Sequence, residues 1–324
     1  MVRTVRDGWG ESRMTWQPFY SGTGGAPRER VELAPPPPWR VFPRPSLHER
    51  FVPPPGLVEA VNAALLLRRP LLLTGPAGSG KSTVIEQVAA ELELGPVLRW
   101  HITSRSGLSE ALYRYDALGR IHAQRLEGAG GGDDIAPFLR MGPLGTALLP
   151  SPRPRALLVD EIDKSDLDLP SDLLDVLERG EFEIPELARY GRDVVAVREW
   201  GGDARHEVTR GRVQCTEFPF IVMTSNGERD FPAAFLRRCI RFTMPMPTPE
   251  TLLRVVAAHL GADAAGSEAA GELVGAFVER LAGGESLAVD QLLNAVHLLT
   301  GDGAPEGERR QAVVDLLLRE LSRV

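Results

Sequence analysis

The chain has 324 residues, enough for about two domains, and 43% hydrophobic with 25% charged residues is the make-up of an ordinary globular protein. Its formal charge of −7 argues against a general nucleic-acid binder, which presents a basic face, and no apolar run reaches the length of a membrane span. Two cysteines, Cys215 and Cys239, argue against a disulfide framework and for the cytoplasm. The polar start, with Arg3, Arg6 and Asp7, does not read as a signal peptide. The six histidines show no metal-ligand spacing with either cysteine.

Residues 1–48 read as a flexible arm, rich in Gly, Pro and Arg. Its run Pro35-Pro36-Pro37-Pro38 favours polyproline II, a stiff extended connector. Trp9, Trp16, Phe19, Tyr20 and Trp39 are many aromatics for a solvated tail. Two readings stand: a disordered leader, or an arm whose aromatics dock on a neighbouring subunit or partner. The folded part begins near Phe51, and residues 56–65 have helical apolar spacing. Residues 70–74 form a short buried strand and 82–90 a helix. A second strand is predicted over 97–103, a helix over 108–126, a glycine-rich surface loop over 128–134 and a short helix over 144–149. Residues 155–160 make a third strand, apolar along its length as a doubly covered parallel strand should be. A helix over 171–179 follows, then a charged stretch, 185–217, suited to a β-hairpin. Residues 218–224 and 239–244 are the fourth and fifth strands, and everything after Pro247 reads as helix, broken by glycines near 261–266 and 283–284. Strands alternating with helices predict a doubly wound α/β core over 49–247, and the remainder a helical lid domain over 248–324.

The richest motif is Gly75-Pro76-Ala77-Gly78-Ser79-Gly80-Lys81-Ser82, followed by Thr83, which fits the phosphate-binding loop G-x-x-x-x-G-K-[ST] in its strand–loop–helix context. Its glycines let the backbone wrap phosphates, and the helix N-terminus adds inward N–H groups. Lys81 is expected on the β- and γ-phosphates of ATP and Ser82 on Mg²⁺. Asp160-Glu161 closes the third strand in a Walker B pattern. Asp160 is expected to hold Mg²⁺ through water, and Glu161 to polarise the attacking water as general base. The fourth strand ends in Thr224-Ser225-Asn226, and Asn226 is assigned to orienting that water. Asp163 and Lys164 read as a structural or subunit-edge pair. Arg237 and Arg238, ahead of the fifth strand, are placed to enter a neighbour's site; Arg238 is the preferred arginine finger and Arg237 the alternate. Chain position alone puts Phe51, Val52 and Pro53 near an adenine pocket.

This order of motifs resembles an AAA+ ATPase and, more narrowly, the MoxR branch, including the subgroup that operates beside proteins with a von Willebrand factor A domain. The narrower likeness rests on Val61-Asn62-Ala63-Ala64-Leu65, Leu112-Tyr113-Arg114-Tyr115-Asp116-Ala117-Leu118, Met141-Gly142-Pro143-Leu144 and Asp160-Glu161-Ile162-Asp163-Lys164. It covers residues 50–300. The resemblance implies a P-loop NTPase three-layer α/β fold with strand order 5-1-4-3-2 and ring hexamers holding ATP between subunits. It implies hydrolysis used to remodel or activate a protein partner, and partner-facing insertions at 105–145 and 185–217. One departure stands out: the segment 284–294 lacks the basic sensor-2 residue of the family, and Arg280 is the nearest base upstream. The alternative is an ATP-dependent assembly or signalling switch with slow hydrolysis, in a conflict-type gene cluster. A small-molecule kinase has no use for the Asn226-to-Arg238 arrangement, and the acidic balance disfavours a DNA-directed motor.

Overall fold

The computed structural model describes residues 36–42, 51–127, 134–285, 287–301 and 304–319. Trp9, Trp16, Phe19 and Tyr20, and the glycines of the 128–134 loop, lie outside these residues. The described chain divides into two units. One is Leu47–Met246; the other joins residues 36–42 to the segment from Pro247 onward.

The first unit begins with α1 (Leu57–Leu67), β1 (Leu71–Thr74), α2 (Lys81–Glu91) and β2 (Leu98–His101). Then come α3 (Leu108–Leu112), β3 (Tyr113–Tyr115), α4 (Ala117–Glu127), β4 (Leu139–Met141), α5 (Pro143–Ala147) and β5 (Ala156–Asp160). After α6 (Leu169–Arg179) follow β6 (Glu181–Glu183), α7 (Pro185–Ala188), β7 (Val194–Arg198), β8 (Arg205–Thr209) and β9 (Arg212–Gln214). It ends with β10 (Phe220–Ser225), α8 (Ala233–Leu236) and β11 (Ile240–Thr243).

Five of these strands form a parallel sheet in the order β11-β1-β10-β5-β2, which is the expected 5-1-4-3-2 of a P-loop NTPase. Leu71, Leu72 and Leu73 are at most 1% exposed, as are Ala156 to Val159. Strands covered on both faces have no solvent side, so they run apolar without alternation. Parallel neighbours need crossovers, and α1, α2 and α6 supply apolar faces that close over the sheet.

The helix expected over 108–126 is instead two helices with a strand between them. Tyr113 and Tyr115 alternate at the strand period, β3 pairs antiparallel with β4, and Asp116 Oδ1 accepts the Gly119 N–H at 2.8 Å to start α4 afresh. The hairpin expected in 185–217 is present as β7 and β8. Through the single bridge Arg140–Arg198 it joins the earlier insertion, giving a second, six-stranded sheet β3-β4-β7-β8-β9-β6. The two insertions are therefore one structure. Leu139, Met141, Val195, Val197, Val208, Val213 and Phe182 form its buried side.

The second unit contains α9 (Pro249–Leu260), α10 (Ala262–Ala265), α11 (Glu268–Ala282), α12 (Val289–Thr300) and α13 (Gly307–Leu317). Caps fix its starts: Thr248 Oγ1 accepts the Thr251 N–H and Ser267 Oγ the Ala270 N–H. Leu252, Val256, Phe277, Leu292 and Val296 are fully buried among these helices. Trp39 packs against this core. Its indole N–H donates to Asn294 Oδ1 at 3.1 Å, and its ring meets those of His259 and His297 edge-on. This aromatic thus docks on its own chain. Arg280 is engaged by the Leu318 carbonyl at 2.8 Å and by Asp315 at 3.6 Å.

Candidate active site

The carboxyl ends of β1, β5 and β10 open on one cleft, because these strands are neighbours and parallel. The loop between β1 and α2 lines it. Gly75 has φ of +145° and Gly80 of +83°, a region where a Cβ is strained. Space is denied there as well. A Cβ on Gly75 would stand 2.8 Å from Met244 Cβ, and one on Gly80 would stand 2.7 Å from the Phe51 ring. Phe51 therefore lies against the phosphate-binding loop, and its carbonyl accepts from Gln87 Nε2 at 3.1 Å.

Lys81 is only 7% exposed, and its ammonium is fully engaged. It donates to the carbonyls of Gly75 and Pro76, each at 2.8 Å, and to Asn226 Oδ1 at 2.9 Å. Burial lowers its pKa, opposed by the charges of Asp163, Asp160 and Glu161. Gly75 and Pro76 thus serve the lysine, while residues 77–83, including Thr83, line the cleft.

Asp160 Oδ1 accepts from Ser82 Oγ at 2.8 Å and from Thr224 Oγ1 at 2.7 Å. The Thr224 hydroxyl in turn accepts the Glu161 N–H at 2.9 Å. Thr224 therefore ties β10 to the acidic pair, a role that the sequence reading does not assign to it. Its signal was its place one residue inside the end of the strand beside β5.

Glu161 has φ of +61°, the left-handed region, in a non-glycine residue. Its carboxylate meets Lys164 Nζ at 2.9 Å and His101 Nε2 at 3.7 Å. His101 was also missed; it ends β2 in register with Asp160, an adjacency that exists only once the strand order is known. Within the chain Asp163 and Lys164 engage different partners, Asp163 in a structural role. Lys164 holds Glu161, which raises the lysine's pKa, while Asp163, 3% exposed, accepts the backbone N–H groups of Asn226 at 2.8 Å and Glu228 at 3.2 Å.

Arg237 and Arg238 are not brought to this cleft. Arg238 pairs with Glu178 and donates to the Ala234 carbonyl at 3.1 Å, and the Arg237 carbonyl accepts from Arg69 at 3.0 Å.

The cleft fits a nucleotide phosphate chain with a hard cation. Ser79 Oγ is buried with no partner in the loop that would wrap the phosphates. Ser82 and Asp160 offer two oxygens 2.8 Å apart, and Mg²⁺ takes few protein ligands beside water and phosphate. Among the described residues no group of three or more His, Cys, Asp or Glu forms a dedicated metal cage, and no helix is long and apolar enough to cross a membrane.

A search of curated proteins finds no match. Among solved structures the chain is similar to NtrX from Brucella abortus in complex with ADP, at 16% identity and a TM-score of 0.43, covering 82% of this chain and 54% of that one. A second structure of NtrX from the same organism matches at 17% identity and a TM-score of 0.44, covering 81% and 55%. The chain thus spans about half the length of these proteins. The family model of the AAA domain, dynein-related subfamily, matches residues 70–239. The chain belongs to that family and carries a nucleotide-hydrolysing AAA+ ATPase domain.

Proposed function

We propose that this protein is a MoxR-type AAA+ ATPase that forms a ring, hydrolyses ATP with Mg²⁺ in the cytoplasm and remodels or activates a protein partner. A hexamer and a partner with a von Willebrand factor A domain are the assembly and target this reading implies. In domain terms, 49–247 is the nucleotide-binding core, 248–324 the lid and 1–48 the arm. The observation that carries the proposal is the convergence of Lys81, Asp160, Glu161 and Asn226 on one cleft, with Arg238 held away from it.

In this mechanism residues 77–83 bind the phosphates through backbone N–H groups, and Lys81 exchanges its carbonyl partners for phosphate oxygens. Ser82 and Asp160 would hold the magnesium ion, which supplies charge neutralisation at the phosphates. Glu161 accepts the proton of a water at its carboxylate, and Asn226 orients that water. Arg238 leaves Glu178 to enter the neighbouring subunit's cleft, so hydrolysis depends on assembly. A partner with different affinity for the two nucleotide states is then remodelled.

The test is ATP hydrolysis against protein concentration for wild type, Glu161→Gln and Arg238→Ala. Specific activity rising with concentration, and lost in both variants while ATP still binds, is the expected result. Flat activity that survives Arg238→Ala refutes the interface-built site. A slow assembly switch is the second reading. It is favoured by the ion pair at 2.9 Å that keeps Glu161 on Lys164, and by the absence of a base in 284–294.

A further inference from the structure

Four arginines stand side by side across the sheet built from the two insertions. Arg114 of β3 is opposite Arg140 of β4, Arg140 opposite Arg198 of β7, and Arg198 opposite Arg205 of β8. Their strand neighbours Leu139, Met141, Val195 and Val197 are buried, so by alternation the arginines project from the other face, and all four are exposed. Directly opposed like charges destabilise a sheet. The row is only partly neutralised. Asp203 pairs with Arg198, Glu110 lies 3.8 Å from Arg114, and Arg205 meets no carboxylate among the described residues. Trp200 underlies the row, with the Arg114 and Arg140 guanidiniums 5.8 Å and 5.5 Å from its ring centre. Its backbone N–H is anchored on Thr146 Oγ1 at 2.9 Å. In a chain of net charge −7, this cationic stripe is a local departure from the overall charge and is complementary to an anionic surface.

We propose that this stripe is a docking site for an acidic α-helical segment of a protein partner. The proposal deepens the reading above and rests on its protein partner. Strands lie about 4.8 Å apart, so the four arginines span roughly 14 Å in three steps. Carboxylates at i, i+3 and i+4 on a helix face are spaced at about 5–6 Å, which matches that step. An extended strand repeats on one face at about 6.8 Å and drifts out of phase. Single-stranded nucleic acid binds by stacking bases on open aromatic faces, whereas Trp200 already carries guanidiniums.

The experiment uses the full chain, with ATP, and fluorescence anisotropy of three probes. They are an alanine-based helical peptide with Glu at i, i+4, i+7 and i+11, its Gln counterpart, and an oligothymidine. The Glu peptide is expected to bind and the Gln peptide not, with affinity falling as salt screens the contact. Arg140→Gln and Arg205→Gln should each weaken the Glu peptide about three- to fivefold. Arg205→Gln should leave the melting temperature unchanged or raise it, because repulsion is relieved. No binding by wild type, equal binding of the Glu and Gln peptides, or tighter binding of oligothymidine overturns the proposal. So does a lower melting temperature in Arg205→Gln, which would make the row structural. Hydrolysis measured in the same samples separates the two readings. Intact turnover without peptide binding removes only the docking site, and peptide binding without turnover removes only the motor.

Discussion

Asp163→Ala removes the group that joins the two halves of the cleft. The carboxylate is 3% exposed and accepts two backbone N–H groups, from Asn226 at 2.8 Å and Glu228 at 3.2 Å. Its loss leaves two poorly hydrated donors, each worth about 1–3 kcal/mol, the longer bond at the low end. Its other oxygen is buried without a partner, and removing that penalty returns about 1 kcal/mol. The net expectation is a destabilisation of about 2 kcal/mol, which at a urea slope of about 2 kcal/mol per molar moves the unfolding midpoint down by roughly 1 M. Because the same carboxylate sets the backbone of Asn226, whose side chain meets Lys81, kcat should fall more than nucleotide affinity. Asp163→Asn keeps one acceptor oxygen and should lie between. Urea unfolding followed by circular dichroism, with kcat and nucleotide Kd measured in parallel, is the assay. An Asp163→Ala protein with the wild-type midpoint and wild-type kcat would refute the tethering argument.

Lys81→Met should weaken binding of a fluorescent ATP analogue by roughly ten- to a hundredfold, since it removes charge-assisted hydrogen bonds; titration of the analogue reads this directly. Gly80→Ala forces a Cβ into the Phe51 ring at a positive φ and should cost about 1–3 kcal/mol, seen as a lower melting temperature, with Phe51→Ala in the same chain relieving the clash but not the backbone strain. Tyr113 has its pKa pushed up to about 12 by burial and by its hydrogen bond to Glu186 at 2.8 Å. The folded state therefore holds this proton where the unfolded state releases it, so stability is unaffected below about pH 10 and falls from pH 10 to 12. Of the four tyrosines, one ionising near pH 12 in an absorbance titration, and absent in Tyr113→Phe, is the expected outcome.

The sequence by itself determined the parallel core and its phosphate loop. Leu71-Leu72-Leu73 and Ala156 to Val159 are apolar without alternation because both faces are covered, and that pattern is local and readable. The phosphate loop is likewise local: Gly75, Gly80, Lys81 and Ser82 meet the demands of strand, turn and helix within eight residues. Local pattern misled where tertiary pairing competed with it. Residues 108–126 carry helical spacing, yet Tyr113–Tyr115 gains a partner strand in Leu139–Met141 and leaves the helix. Only the tertiary structure decided what meets across the sheets. His101 reaches Asp160 and Glu161 because β2 lies beside β5, and Asp163 binds the N–H groups of Asn226 and Glu228 because the turn after β10 brings them to it. The arginine row has the same origin: its members lie up to 91 positions apart and become neighbours through strand register alone, a non-local property that no stretch of the sequence contains.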